Sequence, residues 1–141
     1  MNSLITSPYR EQHNDILEIS SVILDCLDID KLKGNSHIVR RSLSKLAGLV
    51  QIHLVLEDNS LYPILANSDN EVLKETSVKF MAEMGDISKV FTEYLDKWST
   101  SSSIRNNTDQ FITETKNILD SLNSRIMREN DIFYKQIDEL L

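Results

Sequence analysis

Apolar residues recur along this chain at steps of three and four, with no strand-like alternation, which predicts helices. A first helix should open at Ser7-Pro8, since Ser is a good N-cap and Pro is favoured at the first helical position. Its stripe is Ile16, Leu17, Ile19, Val22, Ile23 and Leu27, and the segment Lys31–Ser36 with Gly34 is expected to end it in a turn. A second helix is predicted from about Ser36 to Ala66, with a heptad-spaced seam of Val39, Leu43, Leu46, Val50, His53, Glu57 and Ser60. Pro63 should bend or end it. A third helix follows Asn67-Ser68-Asp69, with the seam Leu73, Ser77, Phe80, Met84, Ile87, Phe91, Tyr94 and Trp98. Ser99–Thr108 is polar and Ser/Asn-rich and reads as a loop. A fourth helix runs from about Asp109 to the end, with the stripe Phe111, Thr115, Ile118, Leu122, Arg125, Glu129 and Ile132, and Ile126, Phe133 and Ile137 beside it. The expected fold is all-α: an antiparallel up-down-up-down four-helix bundle forming one domain over residues 1–141.

Composition narrows the class. Three Gly and two Pro in 141 residues leave room for few, long elements. A net charge of -7 argues against a nucleic-acid partner, because phosphates need a basic surface. No stretch approaches the roughly 20 apolar residues of a membrane span, and MNSLITSPYREQ lacks signal-peptide character, so a cytoplasmic location is expected. The single cysteine, Cys26, cannot form an internal disulfide and reads as a buried, inert thiol. No Ser-His-Asp set, phosphate loop or paired-cysteine motif marks an enzyme.

The chemistry is carried by polar residues that interrupt the seams. His53 and Glu57 are four apart and share a helix face, as do Arg125 and Glu129. A carboxylate at a core position is costly unless paired or metal-bound. His13 lies one turn before Ile16 on the first helix; counted from the helix ends at about 1.5 Å per residue, it comes out shallower than the rest. Met84 reads as a packed gap-filler and His37 as a surface residue.

The stretch QIHLVLEDNSLYPIL, Gln51 to Leu65, resembles the H-x-x-x-E segment of hemerythrin-like (HHE cation-binding) domains. YREQHNDILEI is similar to that family's first helix, KFMAEMGDISKVF to its third and RIMRENDIFY to its fourth. The resemblance implies iron, as one or two ions, with ligands at His13, His53, Glu57 and Glu129. In the di-iron bacterial members a His stands where this chain has Met84, and another where it has Arg125. A thioether suits ferric iron poorly, and a guanidinium is no ligand. The expected function is metal binding in a sensory, stress-response or storage role rather than oxygen transport, with a metal ion, a small diatomic ligand, a protein or a second copy as partner. The competing expectation is a metal-free regulatory or interaction bundle in which Arg125, between Glu57 and Glu129, replaces the lost cation.

Overall fold

The computed structural model of the chain describes residues 4–141. The helices are α1 (Ser7–Leu24), α2 (Ile29–Leu56), α3 (Tyr62–Ala66), α4 (Glu71–Lys97), α5 (Ser101–Asn106), α6 (Thr108–Arg128) and α7 (Tyr134–Leu140). A π turn, Glu57–Leu61, joins α2 to α3, and a second, Glu129–Phe133, joins α6 to α7. Four long rods result, packed up-down-up-down as an all-α bundle, and no strand occurs among the described residues.

Three boundaries differ from expectation. The first connection lies before Ile29, not at Lys31–Ser36, because the Asp28 carboxylate accepts the backbone N–H groups of Asp30 and Lys31 and starts α2 there. Gly34 is thus helical, and the irregularity falls on Asn35 as a kink (φ -126°, ψ 23°). The segment 99–108 is not a loop: the Thr100 side chain accepts from the Ser103 N–H and caps α5, whose Ile104 is fully buried against the core. Thr6, one residue before the predicted Ser7, takes the cap position of α1, and its hydroxyl donates to Asp138 Oδ2 at 2.6 Å.

The π turns explain a further difference. The heptad steps put Ser60 and Ile132 in the seams, yet Ser60 is exposed and Ile132 is 55% exposed. Each π turn holds one extra residue, so the seam resumes one position later, at Leu61 and at Phe133, both 0% exposed. The third-helix seam needs no such shift: Leu73, Ser77, Met84, Phe91, Tyr94 and Trp98 are buried, while Phe80 and Ile87 are half-buried. Several polar seam residues find partners within the bundle. Tyr94 and Thr115 share a hydrogen bond of 2.6 Å, and Ser77 Oγ donates to the Lys74 carbonyl at 2.7 Å.

The core falls into two apolar clusters. One holds Ile16, Ile23, Leu32, Val39, Leu43, Leu46, Val50, Phe91, Trp98, Phe111 and Leu122, with Cys26 only partly buried at its edge rather than enclosed. The other holds Tyr9, Leu61, Tyr62, Leu65, Leu73, Phe133, Tyr134 and Ile137, where the start of α1 and the end of α7 meet. Fully burying a Leu or Ile side chain stabilises by about 1.5–3 kcal/mol, so these clusters hold the rods in register from both ends. Between them lies a polar layer: His13, His53, Glu57, Arg125 and Glu129, every one at most 4% exposed.

Candidate metal centre

Each rod delivers its polar residue at the same level. His13 follows Tyr9 by one turn on α1, and His53 precedes Glu57 by one turn on α2. On the other side Met84 follows Phe80 by one turn on α4, and Arg125 precedes Glu129 by one turn on α6. Each glutamate opens its π turn, a departure from the regular α-helix that is frequent at functional sites. The α1–α2 half therefore presents two imidazoles and a carboxylate. The α4–α6 half presents a thioether, a guanidinium and a carboxylate at matching positions.

The histidines meet directly. His13 Nε2 and His53 Nε2 are 3.0 Å apart. His13 Nδ1–H donates to Asn130 Oδ1 at 2.8 Å, and His53 Nδ1–H donates to Gln12 Oε1 at 2.8 Å. With each ring's proton committed to an amide oxygen, both Nε2 atoms carry bare lone pairs. His53 Nε2 also faces Glu57 Oε1 at 3.0 Å, and His13 Nε2 faces Glu129 Oε1 at 3.7 Å. Two imidazoles and two carboxylates thus crowd acceptor atoms together. The nearby donors are the Tyr134 hydroxyl, which donates to Glu57 Oε2 at 3.0 Å, and Arg125 Nε, which donates to Glu129 Oε1 at 3.1 Å. Glu129 Oε2 is buried with no hydrogen-bond partner among the described residues. One atom from each of His13, His53 and Glu129 lies within 4.8 Å of the other two.

His13 is therefore at the centre of the layer, not shallow. It sits under two turns from the start of α1 yet meets His53, more than three turns from the end of α3, so α3 overhangs the start of α1. The ends of α1 and α3 are not level, which is why the depth expected for His13 from its place in α1 is too shallow. His37 is exposed, as expected.

Burial governs the charge states. It lowers the His13 pKa to about 4, with the Glu129 carboxylate opposing, and lowers that of His53. Both rings are neutral at pH 7, so their contacts with the glutamates are not ion pairs. Burial pushes the Glu57 carboxyl up, and burial together with Glu57 pushes Glu129 up. Burial, then Glu129 and Glu57, raises the Tyr134 phenol.

Arg125 does not bridge Glu57 and Glu129 as expected. Its Nε binds Glu129, and its Nη1 donates to Glu83 Oε1 at 3.0 Å. Its guanidinium carbon lies 4.6 Å over the Phe80 ring. Arg128 also donates to both Glu83 oxygens. Glu83 gave no sequence signal, because it sits one residue off the seam and is half-exposed. The hydrogen bonds from Arg128, then from Arg125, hold its carboxyl down to about 2. A depressed carboxyl contributes stability above about pH 4.5 that is lost as the pH falls towards 2. Glu83→Gln should accordingly cost about 1 kcal/mol at pH 7, given solvent screening of a partly exposed group, and the difference from the parent should narrow by pH 3. Urea unfolding of both proteins at the two pH values checks this; a constant difference would refute it.

Between α2 and α4 a cleft of about 460 Å³ is lined by Leu54, Glu57, Asp58, Tyr62, Met81, Met84, Gly85 and Ser88. Glu57 stands in its wall and is the one member of the polar layer that does so besides Met84. Met84 lines this cleft and is 8% exposed.

Residues 4–137 match the family model described as the hemerythrin HHE cation binding domain. No curated protein and no solved structure gives a match.

Proposed function

The chain belongs to the hemerythrin HHE cation binding domain family, and from that premise we propose that it binds a single iron ion in its polar layer, against the histidines of α1 and α2 and with Glu129 reaching across from the end of α6. His13, His53, Glu57 and Glu129 are the ligands in this reading. The observation that carries it is the pair of bare Nε2 atoms 3.0 Å apart, each aimed by an Nδ1–H donated to an amide oxygen. Two neutral imidazoles hold their lone pairs that close when they share a proton or a cation, and burial disfavours an added proton. The mixed nitrogen and oxygen donor set suits iron. The orphaned Glu129 Oε2 supplies a further acceptor.

A second ion has no such support. Arg125 and Met84 stand at the matching positions, and the guanidinium already neutralises Glu129. When bound, iron supplies a redox-active Lewis acid. The protein's own residues do the rest: Asn130 and Gln12 fix the tautomers, the π turns set the carboxylates, and Arg125 fills the second position. A buried one-ion site fits a sensory, stress-response or storage role in the cytoplasm, within one domain over residues 1–141. Among the described residues no helix is long and apolar enough to cross a membrane.

Elemental analysis after anaerobic loading with ferrous iron, on untagged protein, tests the reading. About one ion per chain is expected, and less than about 0.2 would refute it. Gln12→Leu and Asn130→Leu should each weaken iron binding by about 10–100-fold, measured by competition with a chromogenic chelator. Unchanged affinity in both would mean that the amides do not orient the rings.

One observation favours a second reading, a metal-free regulatory or interaction bundle. Arg125 is 1% exposed and paired with Glu129, so a cation is already built into the layer. On either reading Arg125→His restores a nitrogen donor, and iron per chain should rise. A stoichiometry that stays unchanged would mean that Arg125 does not stand in for a cation.

A further inference from the structure

Tyr134 is the one phenol in hydrogen-bonding range of this ligand set among the described residues. It is 0% exposed, and its ring stacks on His13 with centroids 5.1 Å apart and planes 15° off parallel. Arg10 lies over the same ring at 5.6 Å, and Tyr9 packs against it at 6.0 Å. These contacts leave the side chain little freedom. Its hydroxyl oxygen is 3.4 Å from His13 Nε2 and 3.4 Å from His53 Nε2. With the 3.0 Å between the two nitrogens, the three atoms form a nearly equilateral triangle. Its centre is about 1.9 Å from each corner, close to the metal–nitrogen and metal–oxygen distances of about 2.0–2.2 Å, which a cation slightly above the plane would meet. A phenol whose sole role was to orient Glu57 through the 3.0 Å bond to Oε2 would have no need to be equidistant from both imidazoles.

The second π turn places this oxygen. In a regular helix the residue four positions after Glu129 would face the layer, and that residue is Phe133. The extra residue in Glu129–Phe133 moves the buried face one position on, so that Phe133 packs in the apolar cluster and Tyr134, also fully buried, reaches the layer.

We propose that Tyr134 is a direct ligand of the bound iron, as phenolate, completing a set with His13 and His53. The inference rests on the iron-binding reading above. On binding, the O–H bond breaks, the oxygen–iron bond forms, and one proton leaves to solvent per ion bound. A hard, anionic oxygen favours the ferric over the ferrous state, so the site would hold oxidised iron rather than release it.

The experiment loads the full chain anaerobically with ferrous iron, oxidises it with ferricyanide, and records iron content, visible absorption and resonance Raman spectra. The parent should show a visible phenolate-to-iron charge-transfer band with enhanced phenolate vibrations. Tyr134→Phe keeps the stacked ring, should fold by circular dichroism, and should lose the band, whether it retains iron or not. Tyr62→Phe, a second buried phenol beside Glu57 on the cleft, should retain it. Iron bound to the parent without the band, or a band that survives in Tyr134→Phe, overturns the Tyr134 assignment and leaves iron binding intact. A band lost in Tyr62→Phe but not in Tyr134→Phe assigns the ligand to the other phenol and overturns the proposal equally. A parent that takes up no iron overturns both.

Discussion

Arg125→Met should lower the unfolding free energy of the metal-free protein by about 3–5 kcal/mol at pH 7.5. The side chain is 1% exposed and serves two carboxylates, Glu129 at 3.1 Å and Glu83 at 3.0 Å. Methionine fills a similar volume and packs on Phe80, so little of the loss comes from a cavity. The loss comes from Glu129, left buried without its cation, which is the expensive way to break a buried pair. The pH dependence has a definite sign. Burial, then the Glu57 carboxylate, already hold the Glu129 pKa above its unfolded value, and losing Arg125 raises it further. A raised carboxyl binds more protons in the folded state, so its contribution to stability falls as the pH rises through the folded pKa. The penalty of Arg125→Met is therefore largest at high pH and shrinks towards pH 5. Urea unfolding across pH 5–8 measures it. Combined with Glu83→Gln, the cycle should be non-additive by about 0.5–3 kcal/mol. A loss under about 1 kcal/mol with strict additivity would show that the guanidinium is solvated rather than locked between the rods.

His53→Leu should do the opposite to stability and remove function. Iron affinity should fall by more than about 100-fold, beyond what loss of a ring-orienting partner costs. In the metal-free protein the same change should raise the unfolding free energy by about 1 kcal/mol. His53 sits between two acceptors at 3.0 Å, His13 Nε2 and Glu57 Oε1, and burial keeps it neutral. Leucine removes that crowding, joins Val50 and Leu61 in apolar packing, and leaves Glu57 its bond from the Tyr134 hydroxyl. Binding sites that are strained without their ligand commonly show this trade. Chelator competition and urea unfolding give the two numbers. A destabilisation of about 2–5 kcal/mol, typical of a packed core residue, would mean that His53 is structural and that the imidazole pair is not poised for a cation.

The rods themselves were legible along the chain, because burial in a bundle needs one apolar stripe per helix and a stripe is a local pattern. The third seam, Leu73 to Trp98, is the clearest case. The polar positions His53, Glu57, Arg125 and Glu129 were legible for the same reason, since they stand at heptad positions that water does not reach. Local caps were less legible: Asp28 and Thr100 each start a helix where turn-rich composition suggested none, because one side-chain acceptor outweighs weak propensities. Three features were decided by the tertiary structure. His13 moves to the centre of the layer because the ends of α1 and α3 are not level. Arg125 turns to Glu83, a residue off the seam whose nearness depends on how α4 and α6 face each other. The two π turns carry the seams from Ser60 to Leu61 and from Ile132 to Phe133, and the second brings Tyr134 against the histidines. An extra residue in a helix costs backbone hydrogen-bond geometry locally. It is repaid by packing against other rods, at distances in sequence that no local pattern records.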